Sequence, residues 1–233
     1  MTNFQIKLIA ILTMLIDHIG MVFHTQYTDL FMLRQIGRIS FPLFAFLAAE
    51  ACIHTKDIKK YMGRLLMFAF ISQIPFALVS GIDIFERLNI FFTLFTGVFF
   101  VHLYKISLST KSLVTIVFFK VLFIFGYIIA DSNHFDYGGL GVLLIVLLYI
   151  ARSLGSKNKR IYTALAIFAI VTSLYVHTFT ERPAVLVWAI SSIIPIYFYN
   201  GEIGTNSKFT KWIFYMFYPI HLIALFFIRF IIL

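Results

Sequence analysis

The sequence predicts an all-α, polytopic transmembrane helical bundle with its amino terminus in the cytoplasm, and three observations carry that expectation. Hydrophobic residues make up 61% of the chain and charged residues only 12%, with 29 phenylalanines and a mean hydropathy of +0.94. A soluble domain of 233 residues needs more polar surface than this. The apolar residues fall in continuous runs near membrane-crossing length, which disfavours the alternating strands of an outer-membrane barrel. The third observation is that the loops between the runs alternate between basic and acidic.

About nine segments follow, in order. Segment one (5–24) runs on from Gln5 without the small-residue cleavage site of a signal peptide, so it reads as the first spanning helix. Segments two (35–53) and three (63–80) flank a basic loop with Lys56, Lys59, Lys60 and Arg64. Segment four (88–104) is followed by Lys105 and Lys111, and leads to segment five (112–130). Segment six (138–153) opens on Gly138-Gly139-Leu140-Gly141, a close-packing signal, and is followed by Arg152, Lys157, Lys159 and Arg160. Segments seven (161–177) and eight (183–199) come next, and Lys208 and Lys211 precede segment nine (209–231). Segments six and eight are short enough to be tilted or partly re-entrant.

The alternate loops hold Asp29, Asp83, Glu86, Asp131, Asp136 and Glu181. The positive-inside rule puts the basic loops in the cytoplasm and the carboxyl terminus outside. It also accounts for the net charge of +9 without a nucleic-acid partner. No internal repeat or long linker divides the chain, so residues 1–233 form one domain. The single cysteine, Cys52, excludes an intrachain disulfide.

Ionisable groups are costly in hydrocarbon and are usually paired and functional there. Asp17 and His18 sit in the first segment, Arg38 and Glu50 in the second, His102 in the fourth and His221 in the ninth. At 1.5 Å per residue His18 lies about 20 Å from the cytoplasmic entry, His221 reaches a similar depth, and Arg38 enters from outside to the same level. Lys7, Ile11, Met14 and His18 form one helical stripe. Asp17 and His18 point about 100° apart, so Asp17 is expected to meet Arg38 or another helix. Glu50 and His54 share a face at the cytoplasmic end, as Tyr218 and His221 do further in.

Each has a structural alternative. His18 and His221 are open to a hydrogen-bonded packing role, Arg38 to snorkelling at the outer interface, and Glu50 to simple pairing with His54 or Lys56. Cys52, His24 and His177 are read as structural. His134 and Asp136 are too thinly spaced to claim a metal site. No H-E-x-x-H, clustered Cys/His set, glycine-rich phosphate loop or G-x-S-x-G elbow occurs, so no metal is expected.

These motifs, in order, resemble the TraX family over nearly the whole chain. The resemblance is carried by Lys7-Leu8-Ile9-Ala10, Met14-Leu15-Ile16-Asp17-His18, and Gly37-Arg38-Ile39-Ser40-Phe41-Pro42-Leu43-Phe44 with Ala49-Glu50. It continues through Tyr61, Arg64-Leu65, Ser72-Gln73-Ile74-Pro75-Phe76, Asn89-Ile90 and Phe92-Thr93-Leu94. It closes on Tyr199-Asn200-Gly201 and Phe217-Tyr218-Pro219-Ile220-His221-Leu222. Founding members of the family acetylate the amino terminus of conjugative pilin. The family in turn looks like a reduced form of a wider group of multi-helix membrane acyltransferases. In the bacterial enzymes of that group an arginine precedes a first-helix histidine with ten residues between; here Lys7 and His18 keep the spacing with lysine in place of arginine.

The resemblance implies an acyltransferase of the bacterial cytoplasmic membrane that uses acetyl-CoA. The acceptor would be an amine or hydroxyl of a pilin-like peptide, a surface glycan or a lipid. His18 would be the base or the acetyl carrier, with Arg38 polarising the carbonyl or holding Asp17, and Tyr218 and His221 assisting. Lys7, Glu50, Lys60 and Arg64 are the candidates for the donor end, where Lys56 and Lys59 add charge suited to phosphates. Two readings from other classes stand beside this one. A solute or proton transporter would show an inverted repeat or matched broken helices. A non-catalytic assembly factor for conjugation or the cell surface would tolerate His18→Ala.

Overall fold

The computed structural model describes residues 1–24, 27–110, 112–153 and 188–232. Among the described residues the regular structure is all helical, with one isolated bridge, Leu88 to Phe135, and no strand. Helix α1 is Asn3–Phe23, started by a capping box in which Thr2 and Gln5 satisfy each other's backbone amides. The second apolar segment is not one helix. It is a 3₁₀ turn, Thr28–Leu30, then α2, Phe31–Gly37, and α3, Ser40–His54. Pro42 explains the break: it has no amide proton to offer the Arg38 carbonyl, so the chain re-enters the helix with the proline in its first turn.

Helix α4, Ile58–Ser80, begins five residues before the expected segment. Asp57 caps it by accepting the Lys60 amide at 3.0 Å, a bond that also holds the Asp57 carboxyl below its usual range. Lys59, Lys60 and Arg64 therefore stand in the first two turns of α4 and not in a loop. Gly81 closes the helix at φ +67°, where a side chain would be strained. Then come α5, Ile90–Thr110, α6, Leu113–Ser132, and α7, Gly138–Ser153. After residues 154–187 come α8, Ile193–Tyr197, and α9, Lys208–Ile232.

Among the described residues six stretches are long and apolar enough to cross a membrane: Asn3–Phe23, Thr28–His54, Ile58–Ser80, Ile90–Thr110, Leu113–Ser132 and Lys208–Ile232. The molecule is a multi-pass membrane protein. The sixth expected segment is a shorter apolar helix, the seventh lies outside the described residues, and the eighth lies partly outside them.

In hydrocarbon, helices gain little by hiding apolar surface from lipid, so close packing and interhelical hydrogen bonds fix the arrangement. Helix α1 packs against α2, α3 and α9; α3 and α5 both pack on α7; α4 joins α5 to α9. Helix α6 lies outside against α5 and α7, with Ala130 its buried residue. Gly139 and Gly141 let α7 approach Tyr127, Phe41 and Thr93 closely, as the glycine run implied.

A polar pin ties α4 to α5. Fully buried Asn89 donates to the Ala69 carbonyl and to Gln73 Oε1, both at 2.7 Å, while Gln73 holds the Arg87 carbonyl at 2.8 Å.

Because successive long helices reverse direction, the loops sort to two ends. Lys56, Lys59, Lys60, Lys105, Arg152, Lys208 and Lys211 gather at one, hereafter the basic end. Asp29, Asp83, Glu86, Asp131 and Asp136 gather at the other.

Candidate active site

Two helices far apart in sequence meet at the centre of the site. His18 stands about 22 Å from the start of α1 and His221 about 20 Å from the start of α9, both measured at 1.5 Å per residue from the basic end. The matched depths bring His18 Nδ1 within 2.7 Å of His221 Nε2, and both rings are buried. The Nδ1 of His221 lies 2.6 Å from the Phe217 carbonyl, and the Phe217 ring stacks on the imidazole. Tyr218 presents its ring edge-on to both imidazoles, 5.8 Å from His18 and 5.7 Å from His221.

Next to this pair, Asp17 is held by two arginines of α2 and its C-terminal end. Arg34 approaches Asp17 at 2.8 Å and Arg38 at 3.0 Å. Arg38 also reaches the Arg34 carbonyl at 3.1 Å and the Tyr137 hydroxyl at 3.4 Å. Gly37 makes the approach possible, because a Cβ there would sit 2.2 Å from Asp17 Cβ. One carboxylate between two guanidiniums fixes a net positive field beside the histidines.

A cavity of about 290 Å³ leads from the basic end toward the pair. Lys7, Arg64 and Lys211 line its mouth, Met14 and Phe91 its wall, and Tyr218 its inner end. Lys7 lies over the Phe214 ring at 5.5 Å and Arg64 over Tyr61 at 5.8 Å, so aromatic faces hold both cations at the opening. Among the described residues, the buried Arg64 Nε has no hydrogen-bond partner, and the Tyr218 hydroxyl, beside the Ile90 amide, has no acceptor for its own proton. A second, more polar pocket of about 390 Å³ opens at the other end, lined by Arg87, Asp131 and Tyr137.

The residues expected from the sequence divide accordingly. His18, His221, Tyr218, Asp17 and Arg38 come together as one cluster, and Lys7 and Arg64 share the cavity mouth. Glu50 lines the cavity wall, but its carboxylate is fully buried and taken up by Arg152 and by His54 at 3.4 Å. Lys60 is 79% exposed, pairs with Asp57 at 3.2 Å and is absent from the cavity lining. His102 is half-buried on α5 away from the pair. Among the described residues no group of three or more His, Cys, Asp or Glu could hold a metal.

Sequence reasoning missed Arg34, Arg152 and Lys211. Arg34 stands four residues before Arg38 on one helical face, and Lys211 is spaced from Tyr215 and Tyr218 like the residues of a single helical stripe. Those spacings were the available signals. Arg152 carried none, because a cation at the end of an apolar run looks like an ordinary loop charge.

Comparison with known proteins gives one family. A family model described as TraX protein matches residues 3–229. A protein of Dichelobacter nodosus named "Probable fimbrial assembly protein FimC, serogroup H1" is 29% identical over 237 residues, 95% of this chain and 93% of that protein. "Uncharacterized protein RP591" of Rickettsia prowazekii (strain Madrid E) is 28% identical over 169 residues, 72% of this chain and 63% of that protein. No solved structure matches the chain.

Proposed function

The chain belongs to the TraX family, and on that footing we propose that it is a membrane acetyltransferase that moves an acetyl group from acetyl-CoA to an amine or hydroxyl. The observation that carries this reading is a cavity that runs from three cations to Tyr218, whose ring in turn meets the His18 and His221 imidazoles edge-on. Lys7, Arg64 and Lys211 suit the phosphates of coenzyme A, and the apolar shaft beyond them suits the pantetheine arm. The basic end faces the cytoplasm, where the donor is made, and the protein sits in the bacterial cytoplasmic membrane with about nine spans and a cytoplasmic amino terminus.

In the reaction, the acceptor nitrogen or oxygen attacks the thioester carbonyl carbon. A C–N or C–O bond forms, the C–S bond breaks, and His18 takes the proton that the acceptor loses. The same proton then passes to the departing thiolate, so coenzyme A leaves as the thiol and the histidine is restored. The Tyr218 hydroxyl, whose proton has no acceptor among the described residues, is placed to donate to the carbonyl oxygen as negative charge gathers there. Asp17, held between Arg34 and Arg38, keeps that positive cluster fixed beside the pair. The fimbrial assembly name of the Dichelobacter relative favours an acceptor on a pilus-like surface protein, reached from the acidic end.

The test is acetyl-CoA binding to the purified protein in nanodiscs. Wild type should bind saturably, Lys7→Ala should bind roughly tenfold more weakly, a loss of about 1.4 kcal/mol, and His18→Asn should bind normally yet turn over nothing. No binding by the wild type, or full turnover by His18→Asn, overturns the proposal.

A further inference from the structure

The two hydrogen bonds of His221 dictate which nitrogen of His18 acts. A carbonyl oxygen can only accept, so the 2.6 Å contact to the Phe217 carbonyl requires the proton of His221 to sit on Nδ1. A neutral imidazole has one N–H, which leaves His221 Nε2 as an acceptor. The 2.7 Å contact to His18 is then satisfied only if His18 Nδ1 donates. The remaining nitrogen, His18 Nε2, holds the lone pair.

We infer that His221 is the positioning residue of the site: it locks His18 in the Nδ1–H tautomer and receives the proton that His18 passes on. The second role follows from the same contacts. When Nε2 of His18 takes a proton, its Nδ1 proton can cross the short bond to His221 Nε2. His18 is then neutral with its proton on Nε2, and His221 carries protons on both nitrogens and the positive charge. The middle hydrogen bond survives with its direction reversed, and the Phe217 carbonyl still accepts from Nδ1. Protonation of the leaving thiolate by His18 Nε2–H runs the sequence backwards and returns the charge. Stacking of Phe217 on His221, and Tyr218 against both rings, holds the imidazoles in register throughout.

This relay rests on the transferase reading for its chemistry, but the tautomer does not, and the experiment separates them. Nitrogen-15 NMR of histidine-labelled protein in nanodiscs reads the tautomers without substrate, the His18 signals being those missing from His18→Asn. Wild type should show His18 as Nδ1–H. His221→Gln, whose amide can still accept from His18, should preserve that tautomer, and His221→Leu should move His18 toward Nε2–H. In turnover, His221→Gln keeps the orientation but loses the relay, so kcat should fall about tenfold with an unchanged KM for acetyl-CoA. His221→Leu loses both, and kcat should fall about 10³-fold. An Nε2–H tautomer in the wild type, or a His18 tautomer indifferent to His221→Leu, overturns the inference whatever the activity. The expected tautomers with no acetyl transfer at all uphold the assignment and strike the transferase reading instead.

Discussion

At the scale of single residues, the ionisable groups of this protein solve the same problem in two ways. Asp17 is neutralised by two arginines whose charge exceeds its own, which leaves a positive field, while Glu50 is closed off by Arg152 and His54. Breaking a buried pair from one side strands a charge and costs about 3–5 kcal/mol. Glu50→Ala and Arg152→Ala should each be destabilised by about that much in a detergent–SDS unfolding titration. The double replacement Glu50→Leu with Arg152→Leu should recover most of the loss; a double variant as unstable as the sum of the singles would contradict this account.

The same residues show what was legible beforehand. The meeting of Asp17 with Arg38 followed from depth and from the need of a buried carboxylate for a cation, and the equal depths of His18 and His221 followed from helix rise. Of the two partners of Glu50, His54 followed from the four-residue spacing, but Arg152 did not, because it lies on a helix 102 residues away and only the packing of α3 on α7 brings the two together.

At the scale of elements, α2 builds the site. It packs along α1 with Gly37 against Asp17, which brings Arg34 and Arg38 to that carboxylate. Adding a methyl group at that contact forces the helices apart, and overpacking of this kind costs about 1–3 kcal/mol. Gly37→Ala should therefore lower both the unfolding midpoint and turnover. Gly63→Ala on α4, where an added Cβ meets nothing within 4 Å, should be neutral or stabilising by up to about 1 kcal/mol in the same titration. Equal destabilisation of the two variants would contradict the packing argument.

The existence of these elements was plain from hydropathy, but their ends were not. An averaging window passes smoothly over Pro42 and Asp57, the two residues that decide where α3 and α4 begin. Their signals, a missing amide proton and a capping carboxylate, are local chemistry that mean hydropathy does not register.

At the scale of the whole molecule, charge separates along the helix axes. In a Cys52→Ser background, Glu86→Cys should react with a membrane-impermeant maleimide on intact cells, and Lys59→Cys only after permeabilisation. The reverse pattern would turn the molecule over and put the three-cation mouth on the wrong side for the proposed cytoplasmic donor.

The central histidines lie 203 residues apart, one on α1 and the other on α9. During translation the first helix enters the bilayer long before the ninth leaves the ribosome, so His18 waits without its partner until α9 has been inserted. A product stalled or truncated before α9 would hold the cavity's first wall yet have no fixed His18 tautomer. The tautomer on which the inferred relay depends is thus set only when α9 has docked on α1.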